Sequence, residues 1–155
     1  MTEIRHAGLI ARRVGGYWRG ALIEGPAGAG KSDLALRALA RGWRLVADDR
    51  VLLFACAGRL FGRAPDALAG LIEVRGLDVV AEVPTRLAEV TLAARCEDPA
   101  EAPRLWQGER VRIEEIELPL LRIWPLAASA PDLLAHAVER FGGRGRVEYQ
   151  AGRSR

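Results

Sequence analysis

Apolar and polar positions in the first third of the chain predict a strand, a glycine-rich loop, a helix and a second strand. Residues 20–24 form a short apolar run that ends at the loop, as a buried strand would. After Lys31, helix-forming residues carry apolar positions at helical spacing as far as Gly42, where a glycine can end a helix. Residues 43–47 form the second apolar run, and aspartates close it. This order predicts a right-handed crossover that brings the ends of both strands to one sheet edge.

The rest of the chain predicts further strands and a terminal helix. A loop rich in acids and prolines is expected at 97–103, and a terminal helix is expected to begin at Pro131. Alternating charged and apolar residues predict one half-buried antiparallel strand over 110–118. The other expected elements are strands at 51–56, 60–61, 71–74, 79–83 and 87–93, and a short helix at 65–71.

Composition favours one soluble domain. The 155 residues are 50% hydrophobic and 28% charged, and no apolar run approaches the roughly 20 residues that span a bilayer. We therefore expect a cytoplasmic protein without a membrane partner. The net charge of +3 is concentrated in arginines near the C-terminus without interleaved aromatic residues, so nucleic-acid binding is not expected. Cys56 and Cys96 lack the spacing of a zinc site or a disulfide framework, which indicates two reduced thiols.

The glycine-rich loop carries a phosphate-binding motif, G-x-x-x-x-G-K-[ST]. Its residues are Gly25, Pro26, Ala27, Gly28, Ala29, Gly30, Lys31 and Ser32. Backbone N–H groups of such a loop, together with the positive end of the helix that follows, bind phosphate oxygens. Lys31 would reach the β- and γ-phosphates of ATP, and the Ser32 hydroxyl would be a ligand of Mg²⁺.

Asp48 and Asp49 are the second group of candidate residues. The crossover places them at the sheet edge that carries the phosphate loop, beside the γ-phosphate. One carboxylate would orient Mg²⁺ and the other would accept the proton of an incoming hydroxyl. Together these patterns predict an α/β fold, with a P-loop nucleotide-binding core elaborated by antiparallel strands. The kinase domain is expected over residues 1–141, and a disordered basic tail over 142–155.

Three segments resemble the successive signatures of bacterial HPr kinase/phosphorylase. They are G-P-A-G-A-G-K-S-D-L-A-L, R-G-W-R-L-V-A-D-D-R-V and L-I-E-V-R-G-L. The resemblance covers residues 6–139 and is limited to the catalytic C-terminal domain of that family, in the short form that lacks the N-terminal domain. It implies an HPr kinase/PEP carboxykinase-like fold and ATP- and Mg²⁺-dependent phosphorylation of a serine on an HPr-like phosphocarrier protein of the phosphotransferase system. Such a reaction regulates carbon or nitrogen metabolism.

The resemblance also implies roles for individual residues. The catalytic lysine and the magnesium serine of the family fall on Lys31 and Ser32, and its second magnesium ligand falls on Glu73. The aspartate that exchanges the proton falls in the Asp48–Asp49 pair, with Asp49 preferred. The catalytic histidine and arginine of the family fall on His6 and Arg104.

Departures from the family pattern leave some properties open. Asp78 replaces the glycine of a G-L-G turn, the loop after it is short, and residues 127–129 stand where a P-G-R-N stretch is usual. The reverse reaction, in which inorganic phosphate releases pyrophosphate, and assembly as a homo-oligomer therefore stay open. Two alternatives also remain: a small-metabolite kinase of the shikimate or gluconate type, and a non-catalytic nucleotide-sensing module.

Overall fold

A computed structural model describes residues 2–142 of the chain. This part contains eleven strands, two α-helices and one 3-10 turn. The strands are β1 (Thr2–Arg5), β2 (Gly8–Val14), β3 (Tyr17–Glu24), β4 (Arg44–Ala47), β5 (Val51–Cys56), β6 (Arg59–Arg63), β7 (Leu71–Val74), β8 (Asp78–Ala81), β9 (Ala88–Cys96), β10 (Arg110–Ile113) and β11 (Ile116–Ile123). The helices are α1 (Lys31–Leu39) and α2 (Ala130–Gly142), and the 3-10 turn is Asp66–Leu68.

Nine of these strands form one mixed sheet, and β7 and β8 form a separate hairpin. Strand order along the main path is β1-β5-β6-β9-β3-β2-β4, and β11 also pairs with β9 in parallel. Strands β3 and β9 are parallel. Strand β2 lies between β3 and β4 and is antiparallel to both, so β3 and β4 point in the same direction. The carboxyl ends of β3, β4, β9 and β11 therefore lie at one edge, which for β3 and β4 confirms the prediction.

The central strands are buried on both faces of the sheet. Ala21 and Ile23 of β3 belong to the hydrophobic cluster that includes α1 and α2, whereas Leu22 belongs to the cluster on the opposite face. This two-sided burial explains why the central strands are continuous apolar runs instead of alternating patterns. Neither helix within residues 2–142 has the length and apolar character needed to span a membrane.

One predicted element is wrong in kind. The segment 110–118 is not a single strand but the hairpin of β10 and β11, in which Ile113 pairs with Ile116. Glu114 and Glu115 form the turn with φ angles of 47° and 67°. Positive φ at both central residues is the geometry that joins two twisted antiparallel strands. Glu114 and Glu115 interrupt the alternation of charged and apolar residues at this point. Glutamate is not a typical turn residue, so the pattern alone indicates a single strand.

Strands β1 and β2 were not predicted from the sequence, and the other differences concern the bounds of elements. The helix expected at 65–71 is only the 3-10 turn, because Gly70 adopts a φ of 75° and β7 begins directly after it. Gly142 belongs to α2 and not to the tail: a Cβ at this position would lie 2.6 Å from Cδ of Arg19, so only glycine fits without a shift. The remainder of the predicted tail, 143–155, lies outside the described residues.

Packing of α2 on the sheet gives a stability prediction. Leu134 is fully buried in the helix-side cluster, whereas its neighbour Leu133 is 42% exposed. Leu134→Ala is expected to lower the free energy of unfolding by about 2–5 kcal/mol, since it leaves a cavity between α2 and the sheet. Leu133→Ala should change it by less than about 1 kcal/mol. Urea denaturation of both variants measures the difference, and equal effects would contradict the placement of α2.

The two cysteines are expected to differ in reactivity. Cys56 is exposed, whereas Cys96 is buried, and burial raises the pKa of the Cys96 thiol to about 11 even though Lys31 nearby lowers it. The thiolate is the reactive form, so a disulfide reagent at pH 8 should modify one thiol quickly in the native protein and the second only after unfolding. Cys56→Ala should remove the fast phase. A fast phase that persists in this variant would show that Cys96 is accessible.

Candidate active site

The phosphate-binding motif forms an exposed loop between β3 and α1. Gly28 and Gly30 have φ angles of 79° and 106°, in the left-handed region that glycine adopts without strain. The backbone N–H of Ala29 donates to the carbonyl of Pro26 at 3.1 Å, which closes the turn. Helix α1 begins at Lys31, directly after the loop. The strand, loop and helix order that a phosphate site requires is therefore present.

The Lys31 side chain folds back over the loop that precedes it. Its Nζ donates to the carbonyl oxygens of Gly25 at 2.7 Å and Pro26 at 3.0 Å. An ammonium group has three N–H donors, so one remains for a phosphate oxygen. These two bonds place the positive charge at the mouth of the loop. Lys31 is also the one lysine of the sequence.

Ser32 and Asp48 meet at the sheet edge. The Ser32 hydroxyl donates to Oδ1 of Asp48 at 2.8 Å, although 16 residues separate them in the sequence. Oδ2 of the same carboxylate accepts the backbone N–H of Glu73 at 3.1 Å. Asp48 thus connects the first turn of α1 to β7. The structure brings together three of the residues predicted from sequence.

Two further carboxylates border this contact. The Glu73 side chain is 59% exposed and forms a long ion pair with Arg75 at 3.8 Å. Asp49 is exposed and has a φ of 66°, a left-handed conformation that aspartate tolerates better than most residues. Its carboxylate makes no side-chain hydrogen bond or ion pair with another described residue, 2–142. It is therefore available to a ligand that approaches the edge from solvent.

The oxygen donors at this edge fit magnesium. Mg²⁺ prefers oxygen ligands, keeps several waters and is held by one or two protein groups together with substrate phosphates. The Ser32 hydroxyl and the Asp48 carboxylate supply such oxygens beside the phosphate loop. Within the described part of the chain, no three His, Cys, Asp or Glu side chains cluster to enclose a metal ion. A site completed by phosphate and water is the arrangement these residues suit.

His6 lies between β1 and β2 and is exposed. Gly8 pairs with Ile23 and Leu9 pairs with Ala47, so β2 begins at the edge where β3 and β4 end. The histidine directly precedes β2 and therefore lies at the sheet edge that carries the phosphate loop. It makes no hydrogen bond or ion pair with any residue of 2–142, and its catalytic role remains a prediction.

Arg104 is exposed in the loop between β9 and β10. Nearby, Nε1 of Trp106 donates to the carbonyl of Leu120 at 3.0 Å and so attaches the loop to β11. Arg104 itself forms no hydrogen bond or ion pair with the predicted site residues described here. The structure therefore does not connect it to the Ser32–Asp48 contact, and its role remains a prediction.

Charged residues that were not predicted as site residues surround the end of β3. Glu24, the residue before the phosphate loop, pairs with Arg5 at 2.7 Å and with Arg95 at 3.5 Å. In the register of β3 and β9, Glu24 lies opposite Arg95. Strand register brings Glu24 and Arg95 together, and no motif in the sequence indicates this contact or the one with Arg5. They fix the strand end from which the phosphate loop begins.

A second charge cluster lies at the end of β11. Arg122 pairs with Glu97 at 2.6 Å and with Glu109 at 2.7 Å. The hydrogen bonds with Glu109 raise the pKa of Arg122, and the same bonds lower the pKa of Glu109. These groups are charged at neutral pH, so the cluster ties the β9–β10 loop to β11.

Known proteins resemble the first half of this chain. The family model described as "HPr Serine kinase C-terminal domain" matches residues 4–85, a stretch that contains the phosphate loop, both aspartates and Glu73. The HPr kinase/phosphorylase of Clostridium tetani (strain Massachusetts / E88) is 46% identical over 69 residues, covering 44% of this chain and 22% of that protein. The enzyme of the same name from Streptococcus thermophilus (strain CNRZ 1066) is 46% identical over 65 residues, covering 41% of this chain and 21% of that protein.

The fold has a solved counterpart. The structure of the Hpr(Ser) kinase/phosphatase from Coxiella burnetii superposes with a TM-score of 0.77, covering 91% of this chain and 99% of that one at 24% identity. The fold expected from the sequence is thereby confirmed. The chain spans about a fifth of the length of the curated relatives it matches. Since the family model covers more than half of the sequence, this chain belongs to the HPr serine kinase C-terminal domain family.

Proposed function

We propose that this protein transfers the γ-phosphoryl group of Mg²⁺-ATP to a serine of an HPr-like phosphocarrier protein. The hydrogen bond between Ser32 and Asp48 carries the proposal, because it joins the phosphate loop to the acidic end of β4. Phosphoryl transfer requires a phosphate cradle and carboxylates within reach of the same phosphate. Membership of the family supports the serine of a carrier protein as acceptor. The reaction would serve the control of carbon or nitrogen metabolism in the cytoplasm.

The position of each site residue indicates its role in the reaction. Lys31, held by its two carbonyl bonds, offsets negative charge on the β- and γ-phosphates. Ser32 and Asp48 would hold the magnesium ion, and Glu73 beside them would be a further ligand. When bound, Mg²⁺ neutralises charge that develops on the phosphate oxygens. Asp49, which is exposed and unpaired within residues 2–142, accepts the proton of the serine hydroxyl as its oxygen attacks phosphorus.

The same groups suit the reverse direction. A protonated Asp49 would return a proton to the serine oxygen while inorganic phosphate takes the phosphoryl group, which yields pyrophosphate. We include this phosphorylase reaction in the proposal because the matched relatives carry it in their names. His6, at the same sheet edge, is the further candidate for proton transfer in either direction.

A small-metabolite kinase fits less well. Such kinases usually close a helical lid with arginines over the substrate, whereas the second half of the described chain consists mainly of strands and one helix, α2. A module that binds nucleotide without transferring phosphate would keep the phosphate loop and lack turnover. Incubation with γ-labelled ATP and HPr homologues from the same cell separates the three: we expect acid-stable label on a carrier serine. Label on a small metabolite, or tight ATP binding without label, would reject the proposal.

Lys31→Ala is expected to abolish phosphoryl transfer, with a loss of at least about a hundredfold in kcat/KM, since it removes the cation from the loop. The matched control is Arg44→Ala, which removes an exposed cation at the opposite end of β4. The control should keep near-normal activity in the labelling assay. Transfer that survives in Lys31→Ala would contradict the assignment of the loop.

The two aspartates are expected to differ when each is changed to asparagine. Asp49→Asn should lower kcat by about 10²–10⁴ while Mg²⁺-ATP still binds, because it removes the proton acceptor. Asp48→Asn should instead weaken the magnesium dependence of ATP binding, because its carboxylate contacts Ser32. Calorimetric titration with and without Mg²⁺, together with the turnover assay, measures both effects. The opposite pattern would exchange the two roles.

A further inference from the structure

A loop beside the phosphate site carries two exposed apolar side chains. Residues 124–129, here called the β11–α2 loop, follow the carboxyl end of β11. Trp124 is 40% exposed and Leu126 is 58% exposed. Large apolar groups exposed together beside a polar site indicate a surface that a ligand covers.

This loop touches the phosphate loop directly. A Cβ built on Gly30 would lie 3.2 Å from Cδ2 of Leu126 and 3.6 Å from Cγ of Pro125. Gly30 is the residue before Lys31, so the contact lies within the phosphate-binding motif. The apolar surface is therefore continuous with the site where phosphates are held.

Helix α1 fixes the β11–α2 loop in place. The guanidinium of Arg37 donates to the carbonyl oxygen of Ala127 at 3.1 Å and also to that of Pro125. Its Nε donates to Asp33 at 2.9 Å, which holds the guanidinium in position. The two bonds to the loop order it before any ligand arrives, which lowers the entropic cost of binding.

Sheet topology favours a nucleoside as the occupant. Strands β3, β9 and β11 are parallel neighbours, and the first and third of them end at the phosphate loop and the β11–α2 loop. In open α/β sheets, a nucleotide lies in the crevice outside such carboxyl ends. A ligand whose phosphates occupy the first loop has its base within reach of the second.

We propose that Trp124 and Leu126 form the binding surface for the base of the nucleotide whose phosphates are held by the loop at 25–32. The inference rests on the proposed function, which supplies the nucleotide. Base stacking on an aromatic ring is largely independent of sequence or base identity, because every base has a π-face. Trp124 thus contributes affinity, and the phosphate loop contributes the charge recognition.

A comparison of Mg²⁺-ATP with Mg²⁺-tripolyphosphate distinguishes the affinity contributed by the base from that contributed by the phosphates. Calorimetry should show that Trp124→Ala weakens Mg²⁺-ATP about tenfold and leaves tripolyphosphate unchanged. Leu126→Ala should weaken ATP by a smaller factor, and Trp124→Phe should retain most of the affinity. Tyr17→Ala is the matched control, since Tyr17 is a 54% exposed aromatic residue at the opposite end of β3. It should bind both ligands as the wild type does.

Other outcomes overturn the inference in distinguishable ways. Unchanged ATP affinity in both Trp124→Ala and Leu126→Ala would remove the base surface. Equal losses for ATP and tripolyphosphate would mean that the β11–α2 loop only supports the phosphate loop. If Trp124→Ala does not fold, tryptophan fluorescence still tests the inference. ATP should quench the emission of the wild type but not that of Trp124→Phe. Wild-type protein that binds neither ligand would instead refute the proposed function.

Discussion

The hydrogen bond between the Ser32 hydroxyl and the Asp48 carboxylate is the interaction on which the site depends. Each partner has a separate reason for its position: Ser32 is fixed by the turn into α1, and Asp48 by the end of β4. Because the bond joins them, a phosphate loop and an acidic strand end become one site. Asp48 extends the connection to β7 through the backbone of Glu73. A chain of two hydrogen bonds thus links three segments that lie apart in the sequence.

Topology makes this contact possible. Strand β2 separates β3 from β4 and is antiparallel to both, so the two strands end at one edge without being neighbours. Parallel pairing of β3, β9 and β11 adds the Glu24–Arg95 ion pair and the β11–α2 loop to that edge. The opposite faces of the sheet are filled by apolar side chains. Burial of these apolar side chains stabilises the sheet, and the polar groups lie at the ends of the strands.

Local patterns were sufficient for the parts of the site that are local. The G-x-x-x-x-G-K-[ST] motif gave the loop and the start of α1, and the apolar run before Asp48 gave β4, because each depends on neighbours in sequence. Pairing across the sheet was not predictable in this way. The contact of Glu24 with Arg95 depends on register, and the turn at Glu114 and Glu115 uses residues without a turn signal. Arg104 lies in an irregular loop, for which neither periodicity nor pairing fixes a position.

A double-mutant cycle on Ser32→Ala and Asp48→Asn, with Mg²⁺-dependent ATP affinity as the readout, tests the central contact most directly. If the hydroxyl and the carboxylate act together on one ion, the second substitution should cost little once the first has been made. We expect a coupling energy of about 1 kcal/mol or more between the two positions. Losses that simply add would show that Ser32 and Asp48 act independently, and that the shared edge does not form one site.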